Sequence, residues 1–239
     1  MIHPIRAVLF DLDDTLYNRR TAFRRWALQF ITLDLHISSV AQREAVCAWI
    51  EGLDANGYGS KYEMMRAVCA RYPQVSGTVD EFYDAFVEQI VLETEANEVL
   101  TSLESHEIPF GIITNGSRRQ YRKVARLGLD ERTDCIFVSE TFGQKKPHVT
   151  IFLAAAEKLG VPPAEILFVG DHPRNDIIGA RAAGMQTAWL HRDQPWPESF
   201  VGQNADIVLS DLRELLSAIP IRTLNVASCG SIGCPNLEV

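Results

Sequence analysis

The sequence predicts an α/β fold, a doubly wound parallel sheet with an all-helical insertion after its first strand. Three features lead there. Short, continuously apolar runs recur along the chain, helical segments separate the later ones, and residues 18 to 92 carry helical periodicity alone. An uninterrupted apolar strand is one buried on both faces, as in a parallel sheet covered by helices on either side.

Residues 5–10 read as the first strand, an apolar run closed by polar punctuation. In the segment that follows, Phe23, Trp26, Ala27, Phe30 and Ile31 recur at helical spacing. So do Tyr62, Met65, Val68 and Cys69, and then Phe82, Tyr83, Phe86 and Ile90. Gly52, Gly57, Gly59, Pro73 and Gly77 divide the stretch into roughly four helices. Strands then resume at 110–114, 135–138, 166–169 and 186–190, with helices near 118–127, 150–159 and 175–183. Residues 207–209 add a last strand, and Asp211 reads as the N-cap of a helix over 212–218. The tail, 221–239, has two charged residues, Arg222 and Glu238, and no period. It reads equally as a loose terminus or as a segment packed on the core or a partner.

Composition narrows the function classes. With 239 residues, 46% hydrophobic and 23% charged, the chain suits a globular protein with one core and a smaller inserted unit. A formal net charge of -8 provides no broad basic field for nucleic acid or anionic lipid. No apolar run is long enough to span a bilayer, and the apolar run before Asp11 is too short for a signal-peptide core. Five scattered cysteines, Cys47, Cys69, Cys135, Cys229 and Cys234, form neither a disulfide framework nor a zinc site, so a reducing compartment, the cytoplasm, is expected.

Sheets of this kind bind ligands beyond the carboxyl ends of their strands. The first strand ends in Asp11-Leu12-Asp13-Asp14-Thr15, and residues two apart in extended backbone share a side, so Asp11 and Asp13 can face one site. Paired carboxylates need a cation or a proton between them, although a solvated acidic turn has the same sequence. The second strand ends in Thr114-Asn115-Gly116-Ser117, either an anion cradle of hydroxyl and backbone N–H groups or an ordinary turn capped by Ser117. Lys145 and Lys146 precede Pro147; one could neutralise a phosphate, and Lys145 is expected in solvent. The strand at 166–169 runs into Gly170-Asp171-His172, placing Asp171 at the same edge as Asp11, where hard oxygen ligands suit magnesium. His172 reads as a loop residue, and Asp176 as a direct metal ligand, a support behind the ligands, or a helix N-cap.

Taken together, Asp-x-Asp-x-Thr, Thr-Asn-Gly, Lys-Pro and Gly-Asp followed by Asn-Asp stand in an order that resembles the haloacid dehalogenase superfamily, over nearly the whole chain from Ala7 to about Leu216. The insertion resembles that superfamily's first cap type. The resemblance implies a Rossmann-like core of residues 1–16 and 96–220, a helical cap of 17–95, and the tail 221–239 outside both. It implies Asp11 as nucleophile and Asp13 as general acid and base. Thr114 and the N–H groups of Asn115 and Gly116 would bind phosphate, and Lys146 would join Asp11 to it. Asp11, Asp13 (through its main-chain oxygen) and Asp171 would hold Mg2+, with Asp176 as a further candidate. The implied activity is phosphomonoester hydrolysis of a small phosphorylated metabolite, such as a sugar phosphate or nucleotide. Alternatives within the superfamily are a sugar-phosphate mutase and a metal-free dehalogenase; Asp13 argues against the latter, since a departing halide needs no proton. A phosphate-sensing or scaffold protein with little turnover is the alternative of another class. Lys61, the lysine of the insertion, is expected to be solvated surface. Specificity is sought among Tyr17, Asn18, Arg19, Arg20, Tyr58 and Lys61. Oligomeric state is not legible.

Overall fold

Strand β1 (Ala7–Phe10) is the centre from which the chain builds in both directions. The computed structural model describes residues 4–218. In it β1 pairs in parallel with β2 (Phe110–Thr114) on one side and β4 (Ile166–Gly170) on the other. Strand β3 (Ile136–Val138) flanks β2, while β5 (Gln186–Leu190) and β6 (Ile207–Leu209) extend the far side, giving the order β3-β2-β1-β4-β5-β6. The strands lie within two residues of their sequence-predicted limits, because each is an apolar run ended by a residue that cannot stay buried unpaired.

Between β1 and β2 lie α1 (Arg19–Leu33), α2 (Val40–Asp54), α3 (Lys61–Arg71), α4 (Val79–Val87) and α5 (Thr94–Ser105). The remaining helices are α6 (Gln120–Arg126), α7 (Ser139–Phe142), α8 (Val149–Leu159), α9 (Gly179–Ala182) and α10 (Glu214–Ala218). Alternation along β1 divides the core: Ala7 and Leu9 meet Ile151, Phe152 and Ala155 of α8, whereas Val8 and Phe10 share a cluster with α5 and the helical insertion.

Several expectations change. Gly52 lies inside α2 and breaks nothing; α2 ends instead at Ala55 and Asn56, both with left-handed backbone. On α3 the buried stripe is Met64, Met65 and Val68, and Tyr62 is 66% exposed. No helix had been expected between the insertion and β2, yet α5 buries Ala96, Val99, Leu100 and Leu103 at helical spacing. The helix expected over 175–183 is a π-helical segment, Pro173–Ile178, leading into α9. α10 begins at Glu214, two residues later than expected, so Asp211, which accepts from the N–H of Arg213, lies in the turn ahead of the helix and not at its N-cap. The tail 221–239, with Cys229 and Cys234, lies outside the described residues; Cys47, Cys69 and Cys135 are free. No helix among the described residues is long and apolar enough to cross a membrane.

The insertion is held to itself by a buried ion cluster. Arg19, the first residue of α1, meets Asp54 at the end of α2 in a two-pronged pair of 2.7 and 2.9 Å. Lys61 joins the same carboxylate at 2.5 Å, and Gly57 N–H donates to it at 2.8 Å. Lys61 is therefore an internal partner, and the expectation of a solvated lysine fails because Asp54 is buried and needs its charge matched. Where the chain crosses into and out of the insertion, Arg192 donates to the carbonyls of Asp14 and Thr15 and pairs with Glu93.

Burial pushes the Asp54 carboxyl up, but hydrogen bonds and charge from Arg19, then Lys61, outweigh it and hold it below its ordinary value. The stability this group contributes is thus present above the ordinary carboxylate range and lost as the pH falls through the depressed folded value. Replacing Asp54 with Asn strands two cations and is expected to cost about 3–5 kcal/mol at neutral pH. Urea unfolding followed by circular dichroism measures this. A loss that stayed constant from neutral pH down to pH 2 would contradict the charge assignment.

Candidate active site

The sheet order places the ends of β1, β2 and β4 side by side, and there the predicted residues converge. Asp11 N–H donates to Val169 carbonyl at 2.9 Å, continuing the ladder one residue past β1. Asp11, Asp13, Thr114, Lys146, Asp171 and Asp176 all line one cavity of about 330 Å³ between the sheet edge and the insertion. Its far wall includes Phe23, Met65 and Phe86 of the insertion.

Lys146 is the hub of the sheet-edge half. Its Nζ, on a side chain 2% exposed, lies 2.5 Å from Asp11 Oδ1 and 2.7 Å from Asp176 Oδ1. The Asn115 side chain fixes its backbone by donating to Lys146 carbonyl and accepting from Lys146 N–H, both at 2.9 Å. Burial would lower the lysine's proton affinity, but Asp11 and then Asp176 outweigh it and raise it. Oxygens of Asp11, Asp171 and Asp176 can lie within 4.8 Å of one another. Three carboxylates facing one ammonium leave negative charge in excess. Burial, with the repulsion of Asp176 and Asp13, pushes Asp11 up to about 7 against the pull of Lys146. Asp171 is pushed well above its usual value by burial, then by Asp11 and Asp176. Among the described residues Asp176 Oδ1 accepts no directed hydrogen bond despite its burial. An all-oxygen, electron-rich cluster with unspent lone pairs fits a hard divalent cation, and the lack of His or Cys within it is unlike a zinc site.

Asp13 sits in the opposite environment. Lys123 donates to its Oδ1 at 2.5 Å, Tyr17 OH donates to the same oxygen, Gln120 Nε2 donates to Oδ2 at 2.6 Å, and Arg19 Nε is 3.8 Å away. Burial raises this carboxyl, but Lys123 and Arg19, with hydrogen bonds from Lys123 and Tyr17, bring it down to about 2. Two carboxylates two residues apart are thus driven in opposite directions.

Two expected roles are corrected. Gly116 N–H is already given to Ser139 Oγ at 2.9 Å, so it is not free to bind phosphate. Asp176 is not a helix N-cap; His172 is, accepting from Asn175 N–H, and Asp176 Oδ2 reaches back to accept from His172 N–H at 2.9 Å. Gly170 makes room for it, since a Cβ there would lie 2.4 Å from Asp176 Oδ2. Lys145 is exposed, as expected. Of the residues considered for specificity, Arg19, Tyr58 and Lys61 line the cavity; Tyr17, Asn18 and Arg20 do not.

Gln120 and Lys123 were missed. Their signal was present: Gln120, Lys123, Val124 and Leu127 fall on one helical stripe, and all four are buried. Polar residues placed where a stripe should be apolar mark a site facing inward.

Comparison with known proteins agrees with this geometry. The haloacid dehalogenase-like hydrolase family matches residues 5–184. The chain is 30% identical to a phosphoglycolate phosphatase of Photorhabdus laumondii, over 95% of this chain and 97% of that protein. It is 27% identical to a glyceraldehyde 3-phosphate phosphatase of Methanocaldococcus jannaschii, over 90% and 97%. A HAD hydrolase of Bacillus subtilis, solved bound to magnesium and described as revealing interdomain movement, shares the fold with a TM-score of 0.66 at 23% identity, over 91% of this chain and all of that one. With residues 5–184 of its 239 matched, the chain belongs to the haloacid dehalogenase-like hydrolase family.

Proposed function

We propose that this phosphatase is a magnesium-dependent phosphomonoesterase working through a phosphoaspartate on Asp11, with a small phosphorylated metabolite as substrate. The observation that carries this reading is the buried Asp11–Lys146–Asp176 arrangement beside Asp171, a carboxylate nucleophile whose paired ammonium also lines the cavity. The phosphatase names of the relatives support it, as does the magnesium bound in the Bacillus subtilis structure.

In this reading a carboxylate oxygen of Asp11 attacks phosphorus, and the bond to the leaving oxygen breaks. Lys146 offsets the repulsion between carboxylate and phosphate, and the Thr114 hydroxyl with Asn115 N–H holds a phosphate oxygen. Asp11, Asp171 and the main-chain oxygen of Asp13 would hold Mg2+, with Asp176, which contacts Lys146, as a further candidate ligand in the same cluster. Bound there, magnesium would neutralise charge on the transferred group. Asp13 protonates the leaving oxygen, then takes a proton from the water that splits the phosphoenzyme and restores Asp11. At rest Asp13 is ionised, so its acid form arises in the complex, where the phosphate dianion raises its proton affinity. Residues 17–95 act as a cap that excludes water.

Asp11→Asn is expected to lower turnover by about a thousandfold or more while the circular dichroism spectrum is kept. Asp13→Asn should slow an alkyl phosphate by about 10²–10⁴, and p-nitrophenyl phosphate less in its first step, because that leaving group scarcely needs a proton. A screen of phosphomonoesters with magnesium supplies the substrates. Near-normal activity in a folded Asp11→Asn protein would sink the mechanism.

The metal has its own signature in stability. Asp11's folded value of about 7 exceeds its ordinary 3.8, so what it contributes is present at low pH and lost as the pH rises through about 7. Asp171 acts in the same direction. In EDTA the melting temperature should therefore decline from about pH 5 to pH 8, and magnesium should restore it at pH 8 by mass action. Full turnover in EDTA, with no effect of magnesium on melting, would remove the metal from the mechanism.

A further inference from the structure

We propose that Gln120 is a positioning residue that ties the phosphate-binding hydroxyl of Thr114 to the carboxylate of Asp13, and that Tyr83 of the insertion sets it. This rests on the phosphatase reading of the site and assigns to it a linkage between closure and chemistry.

Gln120 is 4% exposed and stands at the start of α6. Its Nε2 donates to Asp13 Oδ2 at 2.6 Å and to Thr114 Oγ1 at 2.7 Å. An amide nitrogen has two hydrogens, and these contacts use both. Its Oε1 accepts from Tyr83 OH at 3.3 Å. The orientation of the amide is fixed by this set, because exchanging oxygen and nitrogen would set a carbonyl oxygen against the Asp13 carboxylate. Since the Thr114 oxygen already accepts from Gln120, its own hydrogen is left to be donated outward, toward a phosphate oxygen. Gly116 permits the approach; a Cβ there would stand 2.7 Å from Gln120 Cγ.

Tyr83 comes from α4, across the boundary between insertion and sheet domain. The Arg119 guanidinium and the Lys123 ammonium each lie 6.0 Å from its ring centre. Around it α4 meets α6 through exposed ion pairs, Arg119 with Asp80 at 2.8 Å and Arg122 with Asp84 at 2.6 Å. Such pairs hold weakly and are screened by salt. The polar anchoring of α4 on this face is therefore weak, and its buried consequence is a hydroxyl delivered to Gln120. When α4 departs, the amide loses the contact that orients it, and both Asp13 and Thr114 lose a fixed donor. The insertion thus completes the site only when it is seated.

The variants are Gln120→Met, which keeps length without donors, and Tyr83→Phe, which keeps the ring and removes only the hydroxyl. Melting curves first confirm that each folds. With substrates the wild type turns over, Gln120→Met is expected to lose about a hundredfold in kcat on an alkyl phosphate and clearly less on p-nitrophenyl phosphate. Tyr83→Phe should give the same leaving-group pattern at smaller size, about tenfold, and add nothing to Gln120→Met in the double variant. Inorganic phosphate binding in magnesium, measured by calorimetry, gives a readout that needs no turnover: about tenfold weaker in Gln120→Met. Equal losses on both esters, additive effects of the two substitutions, or unchanged phosphate binding would each overturn the linkage. Absence of wild-type turnover on any phosphomonoester would instead strike the phosphatase reading, with the phosphate-binding comparison still deciding the role of Gln120.

Discussion

The contact between Lys146 and Asp11 is the constraint on which the site depends. Parallel strands β1, β2 and β4 lie adjacent, so whatever follows each of them is forced into the same small volume. Here that volume receives Asp11, Asp171 and Asp176, and carboxylates so close repel strongly where water is scarce. One ammonium, stacked 5.3 Å over the Phe168 ring and gripped at its backbone by Asn115, makes the crowding tolerable without cancelling it. The residual negative charge would favour a divalent cation, and in the proposed mechanism that cation would let an anionic nucleophile approach a phosphate.

A second charge centre lies two residues along the chain and is built from different parts. Asp13 takes donors from α6 through Lys123 and Gln120, from the connection through Tyr17, and a cation from α1 through Arg19. Arg19 is not free to follow Asp13 if that side chain moves, because its guanidinium is committed to Asp54. The insertion thereby presents a preformed positive wall. The two carboxylates differ in proton affinity because one is surrounded by its own kind and the other by cations, an arrangement suited to a nucleophile beside an acid–base group.

What the sequence disclosed and what it hid follow from the range of the interactions involved. Asp11, Thr114 and Asp171 were legible because each sits where an apolar run stops, and a parallel sheet turns those stops into neighbours. The strands themselves were legible for the same reason. Lys146, eight residues past β3, was legible only through its Lys-Pro context and the order of the motifs. Gln120 and Lys123 were not singled out, because whether a residue on a short helix faces solvent or a cavity depends on where that helix docks. Lys61 was misjudged on the ordinary habit of lysines, which a buried Asp54 seven residues earlier overrides. Gly116 was assigned an N–H role, but Ser139, more than twenty residues away, had claimed that hydrogen. Long-range partners decide such cases, and no local pattern encodes them.

The division of strong and weak contacts gives the insertion its mechanical character. Within it, the Arg19–Asp54–Lys61 cluster is buried, and the rings pack together: Phe23 tilted on Trp26, Trp26 stacked on Phe30, and Phe30 edge to face with Phe82. Across its boundary with the sheet domain, by contrast, the α4–α6 pairs are exposed. In the proposed closure, a unit rigid inside and held along the α4–α6 face by exposed pairs would move about the two crossings that Arg192 clasps through Asp14, Thr15 and Glu93. Because Asp11 lies three residues before the first of those crossings, such motion would reorient Asp13 and Asp14 before it reached the nucleophile. The proposed closure would thus act on the acid–base group and leave Asp11, anchored to Val169 and Lys146, in place.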